Sequence, residues 1–546
     1  MSCDVKILVG PAGSGKTTHC VNSAMSIIRD CPKGLPLIFL LPRQATFQIE
    51  QIVYSGSAVG STRLQVVSFE RACQFLYKHL GWETPRVLSQ ESSAMLLQVI
   101  LNRHGESLKF YPRQCMDTEL ANQLLETLVG LRQQKVSIES LKKVIRELGT
   151  DSSKKRLSDK LGDIVFLYEK YLEWLQEKSL LDHNFLLAQL TQILNQWKVA
   201  HPNEYLIEQV WLDGFVDLSL QEIDFLGALA DVSRAATIVI CHEIEGTDEC
   251  KGEVRVARSF WNHTLPLYKK ILNYFSDKGR YNLKIESLSR DTKPNRFSDA
   301  PTLACLEEHW LTREEAGYCK TSENTENEIE ICQCPEIWDE AVFAAQKIIE
   351  YLQKGDTPRR FRDCFVVFRN INAYQGAFQR VFRRYKIPFF VDIPQSILHH
   401  RAAELTLQAF KTVVFGWRTF NLLSVLKTEL AGVSLWAVDM LEEELLKHNY
   451  SGIEIWKHEI WQQWLCNDKT GGDEVRRKTF NNIHKKSVDP LLKFDNTLKA
   501  NEKISGDVLC NAIEEVWNSY GLKTNLEEWS QKNWDIHTEL GSGLSP

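Results

Sequence analysis

The residues best placed to do chemistry lie near the amino terminus, in Gly10-Pro11-Ala12-Gly13-Ser14-Gly15-Lys16-Thr17. They match the G-x-x-x-x-G-K-[ST] pattern of a phosphate-binding P-loop, with an apolar strand before and a helix after. Gly10, Gly13 and Gly15 let the backbone turn its N–H groups inward onto phosphate oxygens. Lys16 supplies a point charge to the β- and γ-phosphates, and Thr17 offers a hydroxyl to Mg²⁺. The start of the following helix, through Thr18, adds its partial positive charge. The expected ligand is a purine nucleoside triphosphate, ATP with Mg²⁺. Such sites need a carboxylate at the end of a neighbouring strand to hold the metal. Asp213, closing Gln209-Val210-Trp211-Leu212, is the candidate. Motor ATPases usually follow that residue with a glutamate that polarises water; here Gly214 follows, which predicts binding with slow hydrolysis.

The elements that must position these groups alternate in type. Val5–Val9, Leu35–Pro42 and Leu64–Ser68 read as buried strands separated by helices, implying a parallel sheet covered on both faces. From about Leu88 to Trp197 the pattern is helical. Leu120, Leu124, Leu128 and Leu131 make one stripe, and Leu161, Val165, Tyr168, Leu172 and Leu175 another. Strand signal returns at Gln209–Phe215 and Ala236–Glu243, so the first domain is discontinuous. Polar stretches at Ser287–Asn295 and Thr321–Glu330 bracket a linker. A second α/β unit is then expected, with strands at Ile329–Cys332, Phe361–Asn370 and Ile387–Asp392 around a helix at Trp338–Leu352. From about Arg401 the chain reads as helical and rich in tryptophan.

Composition fits this size of assembly. At 546 residues, 43% hydrophobic and 25% charged, the chain is long enough for three or four folded domains. A formal net charge of −6 removes any global basic excess, so nucleic-acid binding would need local basic grooves. The 14 cysteines form no C-x-x-C pair, which argues for scattered thiols in a reducing compartment over a metal cluster. The first residues lack a signal peptide's basic and apolar regions, and no run approaches the roughly 20 apolar residues of a membrane span. A cytoplasmic protein without a membrane partner is expected.

Several segments together resemble one family. Ile38–Glu50 is similar to its "VPEQ-T-Q-E" strand and loop, with Arg43 where glutamate is usual. Arg63–Leu76 resembles "QV-SF-RLA", and Lys160–Leu175 resembles "KL-DI--IYE-F--YL". Val210–Phe215 resembles "-YIDGF". Asp363–Asn370 with Tyr374, and Arg383–Asp392, resemble "DIAVL-RN---Y" and "YGIPFF-D". The family is the AddB subunit of the AddAB helicase–nuclease, a degenerate relative of UvrD-like helicases. The resemblance implies an α/β P-loop NTPase of two RecA-like domains with helical insertions. These would be a first RecA-like domain at 1–85 and 201–290, its helical insertion at 86–200, a second RecA-like domain at 291–430 and an incomplete second insertion at 431–546. It also implies a role in recombinational repair of double-strand breaks, an AddA-like partner in a heterodimer, and contact with single-stranded DNA at a DNA end. The family's nuclease residues, last cluster cysteines and γ-phosphate arginine would fall beyond residue 546, so this chain is expected to be no nuclease, to hold no iron–sulfur cluster and to be at most a weak ATPase.

If the resemblance holds, the loop after the second strand touches DNA through Gln44 and Thr46, just before a helix. Phe47 is assigned to the core. Phe69 and Arg71 follow the third strand and could stack a base and hold a phosphate, with core packing of Phe69 equally open. Phe215 is a similar candidate. Arg369 and Asn370 would end a strand of the second domain, where α/β sheets place ligands. Arg296 is either a helicase arginine or a surface one. Arg380, Arg383, Arg384 and Lys386 read as a solvated helix face, and the tryptophans from Trp417 to Trp534 as core. Two other classes compete: a stand-alone P-loop kinase, which would be one compact domain with a short lid, and a scaffold that nucleotide merely stabilises.

Overall fold

The computed structural model describes residues 3–55, 62–111, 118–149, 152–242, 263–276, 280–289, 297, 300–309, 329–354, 359–391, 397–457, 474–500 and 504–539. It divides into two compact units, Met1–Cys332 and Gln333–Pro546.

The first unit is built on a six-stranded sheet. Its strands are β1 (Cys3–Gly10), β2 (Leu37–Leu40), β3 (Leu64–Val67), β6 (Ile207–Leu212), β7 (Ser233–Cys241) and β8 (Tyr281–Ser287), in the order β3-β2-β6-β7-β1-β8. Every strand pair in it is parallel. Parallel strands need crossover helices, and these cover both faces. Side-chain alternation then sorts each strand between two cores. Leu8, Phe39, Trp211 and Val239 face helices α1 (Lys16–Asp30) and α2 (Thr46–Ser55) through Cys20, Ala24, Ile49 and Val53. Ile7, Leu40, Leu212 and Ile238 face α3 (Phe69–His79), α8 (His183–Ala200), α9 (Leu220–Asp231) and α10 (Leu265–Phe275). A further helix, α11 (Pro301–His309), follows β8.

Between β3 and β6 the chain builds a helical block from α4 (Gln90–His104), α5 (Thr118–Gln133), α6 (Ile138–Gly149) and α7 (Lys155–Glu177). Leu124, Leu128, Tyr168 and Leu175 of the two leucine-rich stripes are buried in its core, with Leu120, Leu131 and Leu172 packed at its margin. A short parallel ladder, β4 (Val87–Leu88) with β5 (Leu181–Asp182), ties entry to exit. Helix α8 packs on the sheet through Leu186, Leu190 and Leu194, so the block ends at β5 rather than near residue 200.

The second unit departs from expectation. Residues 364–368 and 387–391 belong to no strand, and neither do residues 329–332 at the end of the first unit. Ile331, Phe365, Val367 and Phe390 are 94%, 86%, 76% and 89% exposed, and Ile329 and Val366 are exposed as well. Val381, Phe378 and Phe382 of α13 (Ile371–Arg384) pack with Ala341 and Ala345 of α12 (Ile337–Gln353), and Phe368 and Phe389 lie against them. Apolar alternation marks a surface fit for a sheet, but a strand exists only where a neighbouring backbone pairs with it, and no described segment of this unit does. Helices from Arg401 onward, beginning with α14 (Arg401–Val414) and α15 (Thr419–Leu426), form a separate core. It contains Trp417 and Trp456, 0% and 1% exposed.

Among the described residues, no helix is long and apolar enough to cross a membrane. Cys3, Cys20 and Cys73 are buried free thiols, and burial pushes the first two up to about 12. Cys305, against the expectation of scattered thiols, is disulfide-bonded.

Candidate functional site

The glycine-rich loop leaves the carboxyl end of β1, which lies in the sheet interior between β7 and β8. Gly13 and Gly15 have φ of 82° and 85°, a left-handed conformation that strains any residue with a Cβ. Gly10 is constrained by space: an added Cβ would lie 2.6 Å from the Leu288 carbonyl oxygen and 2.6 Å from Ser14 Oγ. Lys16 begins α1 and is 7% exposed. Its ammonium folds back onto the loop, donating to the Gly10 and Pro11 carbonyls at 2.7 and 2.6 Å and to Ser14 Oγ at 3.3 Å.

Thr17 and Asp213 are 196 residues apart in sequence, yet Thr17 Oγ1 donates to Asp213 Oδ2 at 2.5 Å. The helical block separates them along the chain, and the β6–β7 and β7–β1 pairings bring the end of β6 near the loop that follows β1. The Asp213 N–H extends the β2–β6 ladder onto the Leu40 carbonyl at 3.1 Å. Burial pushes the Asp213 carboxyl above the usual carboxylate range, opposed by the Thr17 hydroxyl, the Gly214 N–H and the Lys16 charge. A hydroxyl and a carboxylate in contact, beside a buried ammonium, form a donor set suited to a hard divalent cation and a polyphosphate.

Gly214 has φ of 81°, and a Cβ there would lie 3.2 Å from Pro42 Cδ. A glutamate there would be strained by the left-handed backbone and would press on the Pro42 ring. Gly214→Glu is expected to lower stability by about 1–2 kcal/mol and to leave hydrolysis unchanged. Urea melts and a phosphate-release assay check both, and a gain in turnover without loss of stability would overturn this account.

The expected DNA contacts divide. Gln44 and Arg71 are exposed at the carboxyl edge of the sheet. Thr46 is 7% exposed, and its hydroxyl donates to the Arg43 carbonyl at 3.0 Å. Of the two alternatives open for Phe69, the structure has it 6% exposed in the sheet core, with its ring against Phe215 and Phe225 at 5.3 and 6.1 Å. Phe215 is half-buried and helps line a cleft of about 260 Å³ with Arg43, Gln133, Ser219 and Glu222.

Phe47, assigned to the core, is 66% exposed. The signal was present: Ile49 and Val53, four apart, mark the buried face of α2, and Phe47 lies two residues, roughly 200°, from Ile49. Gln133 carried no local signal, because only packing of the block on the sheet brings it to the cleft, whereas Glu222 is the capping-box partner of Ser219 at the start of α9. Arg369 and Asn370 are exposed in the second unit ahead of α13, at no strand end. Arg380, Arg383 and Arg384 lie on α13 as expected, the last two in its final turn, whereas Lys386 falls in the turn beyond the helix with φ of 54°. Arg296 and Glu243 lie outside the described residues.

A parallel α/β sheet with a glycine-rich loop, lysine, threonine and aspartate at its carboxyl edge defines the class to which this fold and site belong. Residues 7–307 match the family described as ADDB, N-terminal, and the chain belongs to that family. It is 25% identical to the B-type subunit of the ATP-dependent helicase/deoxyribonuclease of Symbiobacterium thermophilum, over 98% of this chain and 46% of that protein. Proteins of the same name in Clostridium novyi and Desulforudis audaxviator are 24% and 27% identical, over 96% and 97% of this chain and 43% and 45% of theirs. The chain thus spans under half the length of these relatives.

Proposed function

We propose that this chain is the ATP-binding, single-strand-binding part of an AddB-type helicase–deoxyribonuclease subunit that acts on broken DNA ends beside an AddA-like motor. The observation that carries the nucleotide half is the Thr17–Asp213 hydrogen bond, which puts a hydroxyl and a carboxylate at one point beside Lys16. Gly10 to Thr18 would hold the phosphates, and Thr17 and Asp213 the Mg²⁺, whose charge would offset that of the phosphates. The AddB membership supports the DNA half, with exposed Gln44 and Arg71 and half-buried Phe215 at the sheet's carboxyl edge as contacts. The first unit is read as a RecA-like domain; Arg369 and Asn370 belong to a second whose sheet the described residues do not form. A second reading, a nucleotide-stabilised scaffold, is favoured by Gly214 where a catalytic glutamate would stand.

The test is binding of a fluorescent single-stranded oligonucleotide over a salt series, with and without a non-hydrolysable ATP analogue. Micromolar affinity that falls steeply with salt and responds to the analogue is expected. Arg71→Ala should weaken it several-fold and leave ATP affinity intact. Nucleotide binding without any oligonucleotide binding at low salt would leave the scaffold.

A further inference from the structure

The second unit contains a cleft that the proposed function does not use. It lies between α16 (Leu435–Lys447) and α17 (Glu474–Ile483), with a volume of about 450 Å³. Trp436, Ser434, Lys478 and Asn482 line it together with Gly432 and Val433, and none of its described lining residues is acidic. Trp436 is 62% exposed, whereas Trp417 and Trp456 of the same helical core are 0% and 1% exposed. An indole left in solvent beside a cleft is a flat apolar surface open to a ligand; Phe415 and Phe420 are exposed elsewhere in the unit and line no part of this cleft.

A basic stripe continues from the cleft. Lys478, Asn482 and Lys485 recur at positions i, i+4 and i+7, and all three are exposed, as is the neighbouring Lys486. By helical rise, the two ends of that stripe are about 10 Å apart along the axis. Glu442, Glu443 and Glu444 are engaged by Lys427, Lys447 and Arg476 at 2.6, 2.7 and 2.8 Å. Asp439 is exposed on α16, and Asp489 contacts His484 Nδ1 at 3.2 Å.

The scaffold under the stripe is fixed by buried hydrogen bonds. Helix α17 runs into a π-turn at His484–Val488, a local irregularity that recurs at functional sites. Within it, Ser487 Oγ donates to the Ala431 carbonyl at 2.6 Å, next to Gly432 of the cleft, and Tyr520 donates to the Ser487 carbonyl at 2.6 Å. His484 Nε2 meets the Trp456 carbonyl at 2.7 Å. The two walls are thereby held together before any ligand arrives.

We propose that this cleft is a single-stranded nucleic-acid subsite, in which Trp436 stacks one base while Lys478 and Lys485 track the phosphates on either side. Phosphate neutralisation alone would suit an acidic peptide equally; the exposed indole is what favours a strand with unstacked bases. The inference rests on the single-strand-binding reading of the chain and adds a contact region on the second unit.

The test uses the full chain and a fluorescent oligo-dT. Trp436→Ala is expected to weaken binding about tenfold, Trp436→Phe to recover most of that loss, and Lys485→Ala to lower the log–log salt slope by about 0.7. Thermal midpoints close to wild type exclude misfolding as the cause. An oligonucleotide carrying 5-iodouracil should crosslink to Trp436. If Trp436→Ala binds like wild type while Arg71→Ala is weakened, the cleft proposal falls and the single-strand reading stands. If wild type binds no oligonucleotide at low salt, both fall. Competition by polyglutamate as effective as by oligo-dT of equal charge would replace the nucleic-acid assignment with an acidic peptide.

Discussion

Lys16→Ala is expected to reduce nucleotide affinity by at least about 100-fold, because it removes charge-assisted hydrogen bonds to two phosphates, each contributing roughly 1.5–3 kcal/mol. The same change should barely affect the ligand-free fold. In this state the ammonium is satisfied by the Gly10 and Pro11 carbonyls, and those carbonyls can turn to water when it is lost. The two effects separate cleanly in one experiment. Saturating wild type with ATP analogue at about 100 times Kd should raise its unfolding free energy by about 2.7 kcal/mol, and Lys16→Ala should show none of that gain. Equal ligand-induced stabilisation in the two proteins would remove the loop from the nucleotide site.

Asp182→Ala is expected to cost about 3–5 kcal/mol of stability, the usual penalty for stranding a buried ionic partner. Asp182 is 3% exposed and joins three elements. Both its oxygens accept from Arg132 Nη1 at 2.8 Å, Tyr171 donates to Oδ2 at 3.1 Å, and the Phe185 N–H at the start of α8 donates to Oδ1 at 2.9 Å. Arg132 lies 3.5 Å over the Phe185 ring with its side chain 10% exposed, so its guanidinium is left largely desolvated once the carboxylate is gone. Because α5, α7 and α8 meet here, the helical block and the sheet should unfold in separate steps in the variant and together in wild type. Asp182→Asn keeps the helix cap while removing the charge and should fall between the two. A single transition at the wild-type urea midpoint for Asp182→Ala would show that the cluster contributes nothing.

Local pattern was enough wherever the physics is local. The glycine-rich loop was legible because its backbone conformation, its charge and its flanking strand and helix all lie within a few residues. The alternation of strands and helices before Leu88, and the leucine-rich stripes of the block, were legible because burial of one face imposes a period on the chain. Asp213 could be chosen because a carboxylate ending an apolar strand has few other uses.

Other outcomes were decided by distant partners. Phe69 and Phe47 are both phenylalanines at helix starts after strands; the contact with Phe225 buries one, and only helical phase turns the other outward. The apolar segments at 364–368 and 387–391 have a strand's composition, but pairing depends on a neighbour's backbone, which composition does not encode. The sequence by itself determined where the glycine-rich loop, its lysine and the strand-end aspartate lie, and that a parallel sheet would carry them, since those follow from residue type and period. That Thr17 meets Asp213 across 196 residues, that Gly214 is held left-handed against Pro42, and that Trp436 faces a basic cleft while Trp417 is buried were decided by tertiary structure alone. Each of these depends on what a second, remote element places alongside, and no single stretch of sequence contains both partners.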